Sequence, residues 1–258
     1  MEHDHNTDYT DFGFKSVKSK LKTGLVSDLF SRVSNEYDVM NDVMSFGLHR
    51  CWKKSFIEKL ALKPNMKILD VAGGTGDIAI RIAKDKAYLS PQVTVCDLTY
   101  EMVRQGKNKA INAGVLDIEW HIGNAEKLPY ADASFDRVTI AFGLRNVTNK
   151  DAALNEMARV LKPGGTLGCL EFSPPEGALK PFYDLYSFKI IPWVGEQIAK
   201  DRDAYQYLVE SIRQFPKPSI LREMMLNRGF SICIYEKWAG GIVAMHQATR
   251  QVDAITLG

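Results

Sequence analysis

The sequence lacks a hydrophobic run of the roughly 20 residues needed to cross a bilayer, and it lacks a strong charge of either sign. Its 33 lysines and arginines nearly balance its 31 aspartates and glutamates. A broad basic surface of the kind that binds duplex nucleic acid is therefore not expected, and nucleic acid is not a predicted partner. The 258 residues, 45% of them hydrophobic, are still enough to bury a sizeable core.

Cysteine is also scarce, and its spacing is uninformative. Four cysteines occur without CxxC or ligand-like spacing, which predicts buried free thiols and no metal site. The start of the chain, MEHDHNTDYTDFGF, lacks the features of a secretory signal and the arginine-rich character of a transit peptide. We expect a cytoplasmic protein, although a mitochondrial matrix protein stripped of its presequence would look the same.

The N-terminal quarter of the chain divides into two parts. Residues 1–24 are polar and irregular, which predicts a disordered or mobile tail. Over residues 25–63, apolar side chains recur at three- and four-residue spacing, for example Phe30, Val33 and Tyr37. This second part is predicted to form a helical cap.

From Lys67 onward, short apolar runs alternate with amphipathic stretches: KILDVAG, GDIAIRIAKDK, QVTVCDL, YEMVRQGKNKAINAG and IEWHIGN, followed by DRVTIAFGL, DAALNEMARVLKP and TLGCLEF. The alternation predicts an α/β fold with a doubly wound, mostly parallel sheet. Ligands of such sheets bind at the carboxyl ends of the strands, where the winding reverses. We therefore expect the site at the ends of the first, second and fourth of these strands.

Two later segments complete the predicted single domain over residues 25–258. Residues 176–215 form an insertion rich in aromatic side chains, predicted to be helical and to lie over the active site. The apolar runs FSICIYEKW and GIVAMHQATR are joined at Ala239-Gly240-Gly241. A Gly-Gly between two such runs predicts an antiparallel β-hairpin that closes the sheet.

A glycine-rich loop is the sharpest local feature. The stretch DVAGGTGD, residues 70–77, follows a predicted strand and opens a helix. Its glycines Gly73, Gly74 and Gly76 allow a tight turn and a close approach of the backbone to a ligand. With Ala79 they also satisfy the GxGxxG/A dinucleotide fingerprint, so the loop alone does not distinguish NAD from S-adenosylmethionine.

Charge favours S-adenosylmethionine. Asp70 and Asp77 frame the loop, and both would repel the pyrophosphate that a dinucleotide places on the helix N-terminus. S-adenosylmethionine has no phosphate and carries a cationic ammonium and a sulfonium, which two carboxylates would attract. We assign Asp70 and the loop glycines to cofactor binding on this ground.

Two further positions are predicted to contact the nucleoside. Asp97 ends the second strand about twenty residues past the loop, where an acid hydrogen-bonds ribose hydroxyls; as an alternative or additional role, it caps the following helix. Asn124 and Ala125 follow the third strand, where adenine is expected. Their alternative interpretation is an ordinary turn.

Several longer segments together resemble the UbiE/MenG C-methyltransferases of ubiquinone and menaquinone biosynthesis. They are FSRV, YDVMND, GLHR, WK, LDVAGGTGDIA, FGLRNVTNKDAALNEMARVLKPGG, LEFSPP, YSFKIIPWVG and YQYLVESIRQFP. They span about residues 25 to 250, and FGLRNV combined with LEFSPP is far more specific than a glycine loop. The resemblance implies a class I S-adenosylmethionine-dependent methyltransferase whose cofactor is bound by Thr75, Asp97, Asn124 and Ala125. At Ala141 the family often has a serine, so no role is assigned there.

The resemblance also implies the acceptor, a prenylated hydroquinone: a methoxy-polyprenyl-benzoquinol, a demethylmenaquinol or both. Methylation of a ring carbon requires a neighbouring hydroxyl to lose its proton, so the protein must stabilise a phenolate-like charge. Arg145 and Asn146 follow the fourth strand and are predicted to do so, with Arg145 as an electrostatic clamp. The alternative for Arg145 is a structural ion pair with a nearby acid such as Asp151. Tyr37 of the cap is a further catalytic candidate, and like His49 it is as easily a packing residue.

Three other functions stay open at this point. The same fold could methylate another phenol, an amine or a sterol; it could be an NAD-dependent oxidoreductase; or it could act as a non-catalytic scaffold for quinone-biosynthesis enzymes. Besides the quinol, three partners are considered. Residues 176–215 could bind peripherally to the surface of the inner membrane. The other two are further enzymes of the same biosynthesis and a second copy of the chain.

Overall fold

The computed structural model describes residues 9–34, 37–174, 183, 185–198 and 201–252, with the backbone alone for residues 37, 38, 194, 195, 197 and 198. A seven-stranded sheet forms its centre, in the order β5-β4-β3-β6-β7-β9-β8. The strands are β3 (Lys67–Val71), β4 (Gln92–Asp97), β5 (Ile118–Ile122), β6 (Phe135–Ala141), β7 (Leu161–Phe172), β8 (Phe230–Trp238) and β9 (Val243–Arg250). The predicted α/β fold with a doubly wound sheet is confirmed.

The direction of the strands explains where a ligand can bind. Strands β3 to β7 pair in parallel, whereas β9 is antiparallel to both β7 and β8. The chain winds outward from β3 to β5 and then returns to place β6 on the other side of β3. The crevice at the carboxyl ends of β3 and β6 is the point at which the winding reverses.

Helices cover both faces of this sheet, because neighbouring residues of a buried strand point to opposite sides. In β3, Ile68 packs in one apolar cluster and Leu69 in the other. The helices of the described residues are α1 (Ser19–Arg32), α2 (Tyr37–Ser45), α3 (His49–Lys59), α4 (Asp77–Asp85), α5 (Tyr100–Asn112), α6 (Lys150–Val160), α7 (Ile191–Ile198), α8 (Arg202–Gln214) and α9 (Pro218–Leu226), with a π-helical turn at Tyr186–Ile190. None of them is long and apolar enough to span a membrane.

The N-terminal segment differs from its prediction. All of residues 1–24 are predicted to form a disordered or mobile tail, but Tyr9–Phe12 (β1) and Lys15–Lys18 (β2) form a hairpin and α1 begins at Ser19. Tertiary contacts order this polar stretch: the Phe12 ring stacks on Tyr207 at 4.3 Å between centroids, and the Phe14 amide donates to Glu210 at 2.9 Å. Both partners lie on α8, far away in sequence, so the local pattern gave no sign of them.

The terminal hairpin is confirmed, with a 3₁₀ turn at Ala239–Gly241 between β8 and β9. The segment Pro163-Gly164-Gly165, although rich in residues that favour turns, does not separate α6 from β7. It lies within β7, where the pairing shifts from Phe135 opposite Leu161 to Arg137 opposite Thr166. The three residues therefore bulge out of a continuous strand rather than preceding it.

Candidate cofactor and acceptor site

A cavity of about 720 Å³ opens at the carboxyl ends of the central strands. Five of the residues predicted for the site line it: Gly74, Asp97, Asn124, Ala125 and Asn146. Helix α1 contributes the outer wall through Thr23, Val26 and Phe30. The strand ends named from the sequence thus meet in one place, and the predicted cap covers them.

Asp97 is the best-defined polar group of this cavity. Its Oδ2 accepts the Gly74 amide at 2.8 Å and its Oδ1 accepts the Thr99 amide at 2.9 Å. Burial raises the pKa of this carboxyl, and the backbone amides oppose the shift. A carboxylate has about four acceptor positions, so Asp97 holds the loop and the start of α5 while keeping capacity for two ligand hydroxyls.

The glycine loop, residues 73–76, adopts backbone angles that favour glycine. Gly74 has φ +57° with open space where a side chain would begin, and Gly76 has φ +74° with the Trp120 ring where its Cβ would lie. The first glycine therefore leaves room for a ligand, and the second lets α4 pack against β5. Gly73 is packed against Val95 and Asp70.

Asp70 lies beneath this loop and is almost completely buried. Its Oδ1 accepts the Thr139 hydroxyl at 2.7 Å, but its Oδ2 is a buried oxygen without a hydrogen-bond partner among the described residues. Burial raises the pKa of Asp70 to about 7, against the lowering effects of Thr139 and Lys53. Such an unsatisfied acceptor is costly unless a ligand supplies a donor or a positive charge.

Asp77 does not act together with Asp70 as the sequence suggested. The Lys53 ammonium of α3 lies 2.7 Å from its Oδ2, and Arg81 lies 3.1 Å from its Oδ1. These cations hold the pKa of Asp77 well below its usual value, although burial acts in the opposite direction. The charge of Asp77 is therefore compensated. Of the other two carboxyl groups, Asp97 lines the cavity, whereas Asp70 is buried and is not among the lining residues.

The remaining predicted cofactor residues, Thr75, Asn124 and Ala125, differ in their hydrogen bonding. Thr75 is buried, and its hydroxyl is unpartnered in the part of the chain that the structure describes. Asn124 forms an ordinary turn, which is the alternative interpretation given above. Its Oδ1 accepts the Glu126 amide at 2.9 Å, and its carbonyl accepts the Lys127 amide at 2.9 Å. Its turn and Ala125 nevertheless line the cavity, so the two interpretations are compatible.

The two predicted catalytic residues, Arg145 and Asn146, both lie in the 3₁₀ turn Leu144–Asn146, which follows β6. The turn directs their side chains to different places. Asn146 lines the cavity, and its Oδ1 accepts the Tyr207 hydroxyl at 3.2 Å. Arg145 is buried and points away from the cavity wall. Its Nη1 lies 2.6 Å from both the Glu171 carboxylate and the Phe142 carbonyl.

The alternative partner proposed for Arg145 is engaged elsewhere: Asp151 pairs with Arg228 at 3.0 Å. The side chain of Tyr37 lies outside the described residues. His49 is buried on α3, with its Nε2 2.9 Å from Asp42, and burial lowers the pKa of its imidazole.

Sequence reasoning missed two groups that organise this site. Glu171, the partner of Arg145, ends a buried strand, and a carboxylate inside the apolar run TLGCLEF was the available signal. Lys53 neutralises Asp77 from a different helix, and no spacing rule connects the two residues.

Known proteins resemble this chain over most of its length. A model of the ubiE/COQ5 methyltransferase family matches residues 16–250. The chain is 46% identical over 246 residues to the ubiquinone/menaquinone biosynthesis C-methyltransferase UbiE of Shewanella pealeana, covering 95% of this chain and 98% of that protein. Its identity to UbiE of Laribacter hongkongensis is 48% over 238 residues, covering 92% and 97%.

Solved structures resemble the fold at much lower identity. A SAM-dependent methyltransferase of Thermotoga maritima aligns with a TM-score of 0.60 at 20% identity, covering 87% of this chain and 99% of that one. Phosphoethanolamine N-methyltransferase 2 of Haemonchus contortus, in complex with S-adenosyl-L-methionine, aligns with a TM-score of 0.60 at 13% identity, covering 78% and 52%. At these identities the likeness concerns the fold alone.

Proposed function

Because this chain belongs to the ubiE/COQ5 methyltransferase family, we propose that it is an S-adenosylmethionine-dependent C-methyltransferase that methylates the ring of a prenylated hydroquinone. The acceptor is a methoxy-polyprenyl-benzoquinol, a demethylmenaquinol or both, in ubiquinone and menaquinone biosynthesis. The single observation that carries the site assignment is the cavity at the ends of β3, β4 and β6, in which Asp97 lies beside the glycine loop.

The residues present fit S-adenosylmethionine. Asp97 has free acceptor positions for ribose hydroxyls, and the open space beside Gly74 admits a ligand close to the backbone. The unpartnered Oδ2 of buried Asp70 supplies negative charge toward an ammonium. Asn124 and Ala125 hold the adenine end, and Thr75 completes the set we assign to the cofactor. Bound there, S-adenosylmethionine supplies a methyl group activated by a sulfonium.

The protein must position the acceptor ring and favour loss of a hydroxyl proton. Asn146, on the cavity wall, is the proposed catalytic residue that contacts the acceptor oxygen, and Tyr207 fixes its amide through the 3.2 Å hydrogen bond. Arg145 remains a proposed contributor to charge stabilisation. Its contacts with Glu171 and Phe142 favour a positioning role, in which it holds the turn that presents Asn146. Tyr37 stays a proposed third catalytic residue.

Arg145→Ala separates these two roles of the arginine. We expect cofactor affinity near normal and a fall in turnover by orders of magnitude. If Arg145 positions the turn, Asn146→Ala should lower kcat strongly in the unmodified chain but cause little further loss in the Arg145→Ala background, so that the two losses do not add in the double variant. Unchanged turnover in Arg145→Ala would remove the arginine from the mechanism.

The acceptor is tested directly with labelled S-adenosylmethionine and a panel of benzoquinols, naphthoquinols, simple phenols, amines and sterols. Label in the quinone ring carbon supports the proposal, whereas label in an amine or sterol overturns it. Binding of S-adenosylmethionine without turnover on any quinol would favour the scaffold function, and tight binding of NAD alone would favour an oxidoreductase. Mass analysis of the quinone intermediates that accumulate when the host lacks the protein identifies the natural acceptor.

A prenyl tail also requires an apolar approach, and we propose peripheral membrane contact through exposed aromatics near the cap. Phe14, Phe46 and Trp193 expose 55%, 66% and 61% of their surfaces, and Phe46 stacks on Tyr186 of the 176–215 insertion at 4.1 Å. Exposed aromatics of this kind bind the interfacial region of a bilayer.

Substitution of Phe14, Phe46 and Trp193 by serine should weaken sedimentation with liposomes. The matched control is Tyr88→Ser, because Tyr88 is 75% exposed but lies in the 3₁₀ turn Ala87–Leu89, next to the amino end of β3. Equal partition of the triple variant and the control would refute this contact.

A further inference from the structure

A second cavity, of about 330 Å³, lies behind the Leu144–Asn146 turn. Three cationic side chains from separate segments line it: Lys22 of α1, Arg145 of the turn and Lys150 of α6. We call it the basic cavity. It is enclosed on another side by the β1–β2 hairpin, through Thr10, Gly13 and the carboxylate residue Asp11. The function proposed above assigns no role to Lys22, to Lys150 or to this space.

The two lysines of the basic cavity have too few acceptors. The Lys22 ammonium lies 3.5 Å and the Lys150 ammonium 3.2 Å from the same carbonyl oxygen, that of Val147. Among the described residues this oxygen is the only hydrogen-bond acceptor for either group. Lys22 is 3% exposed, so water cannot easily supply the rest. Two ammonium groups, of which Lys150 is half-buried, therefore share one neutral acceptor.

The carboxylates nearby do not compensate both ammoniums. Glu171 is bound to Arg145, Glu126 is bound to the amides of Thr148 and Asn149, and Asp11 is exposed at the rim. Desolvation, together with repulsion by Lys150, lowers the pKa of Lys22 to about 8 even though Asp11 and Glu126 act to raise it. Burial also lowers the pKa of Lys150.

We propose that the basic cavity is a binding site for a small oxyanion, a phosphate or carboxylate group held between the Lys22 and Lys150 ammoniums. An oxyanion there accepts several charge-assisted hydrogen bonds at once and removes the repulsion between the two lysines. Arg145 also has a buried Nε without a partner in the described part of the chain. Tyr207 and Ser211 line the same space, but their hydroxyls already donate to Asn146 and to the Leu208 carbonyl, so the cationic side chains supply the donors for the anion.

The site is separate from the cofactor cavity but adjacent to it. Lys22 is followed by Thr23, whose hydroxyl lies 3.3 Å from that of Thr148, and both threonines line the cofactor cavity. The Val147 carbonyl shared by the lysines belongs to the same wall. The two cavities thus lie on opposite sides of one loop.

The experiment is calorimetric titration of the full chain with inorganic phosphate and, in a second arm, with acetate, at constant ionic strength set by chloride. We expect saturable 1:1 binding of at least one anion, and the preferred anion identifies the group. Lys22→Met and Lys150→Met should each weaken it about tenfold or more, as expected for loss of one charge-assisted hydrogen bond. The exposed Lys84→Met is the matched control and should bind normally.

A second measurement uses the unmodified chain, so its result does not depend on whether the variants fold. With ¹³C-labelled lysines, the pH midpoint of Lys22 should move upward when the preferred anion is added, because a bound oxyanion stabilises the protonated amine. Absence of saturable binding, equal binding by Lys22→Met and Lys84→Met, or an unmoved Lys22 midpoint would each overturn the proposal.

Discussion

The two sides of the loop that follows β6 hold their buried charges in different ways. On the cofactor side, Asp97 accepts two backbone amides, whereas Asp70 accepts the Thr139 hydroxyl and keeps one buried oxygen without a partner among the described residues. On the other side, Arg145 depends on the single carboxylate of Glu171, and Lys22 shares one carbonyl with Lys150. Neutral donors thus contact Asp97 and Asp70 on the acidic side, whereas the basic side combines one ion pair with two ammoniums that share a backbone carbonyl.

The first and largest prediction breaks the ion pair of the basic side. Glu171→Ala leaves Arg145 buried and unpaired, and we expect the free energy of unfolding to fall by about 3–5 kcal/mol. Urea denaturation followed by tryptophan fluorescence and circular dichroism measures it. The control is Asp151→Ala, which breaks the exposed pair with Arg228 (side chains 45% and 38% exposed) and should leave the stability close to that of the unmodified chain, because solvent screens such a pair. Equal losses would mean that the two sides do not differ as described.

The second prediction concerns the acidic side. Asp97→Asn keeps the shape of the side chain but removes the charge that the Gly74 and Thr99 amides stabilise. The ligand's ribose hydroxyls then lose their hydrogen bonds to a charged acceptor, and each such loss costs about 1.5–3 kcal/mol. Affinity for S-adenosylhomocysteine should therefore fall about 10- to 150-fold. Calorimetric titration measures this, with the exposed Asp85→Asn as control. A dissociation constant within twofold of the unmodified chain would refute the role of Asp97.

The third prediction uses the titration of Asp70. Its pKa is raised to about 7, so below pH 7 the free protein holds a proton that must leave before the carboxylate can face an ammonium. As the pH is raised toward 7, affinity for S-adenosylmethionine should therefore increase by up to about tenfold per pH unit. Above pH 7 the affinity should level off. Titrations in buffers of different ionisation enthalpy should show proton release at pH 6. Asp70→Asn should remove the slope; a slope that persists would assign the proton to another group.

The smallest effect is expected from the glycine loop. Gly74→Ala places a side chain at φ +57°, and Gly114→Ala places one at φ +73°, with open space at both positions. Each should lower the free energy of unfolding by about 1–2 kcal/mol, the cost of a left-handed backbone. Only Gly74→Ala should also weaken cofactor binding, since Gly74 alone of the two lines the cofactor cavity. Identical cofactor affinity in the two variants would exclude a close approach at Gly74.

Much of the cofactor side was predictable because its residues follow strands in order along the chain. The pattern of apolar runs located β3, β4 and β6, and the carboxyl ends of parallel strands necessarily share one edge. The catalytic side was less predictable. Arg145 and Asn146 are adjacent in sequence, yet the 3₁₀ turn sends one side chain into the core and the other to the cavity. The predicted cooperation of Asp70 with Asp77 did not anticipate Lys53.

By itself the sequence determined the α/β fold, the closing hairpin, the position of the glycine loop and the family, because strand periodicity and contiguous motifs are local properties. The tertiary structure alone decided which charges remain available. Lys53 compensates Asp77, Glu171 compensates Arg145, and Lys22 meets Lys150 across more than a hundred residues. Whether a buried charge is paired depends on which distant segment packs against it, and packing of distant segments leaves no periodic trace in the chain.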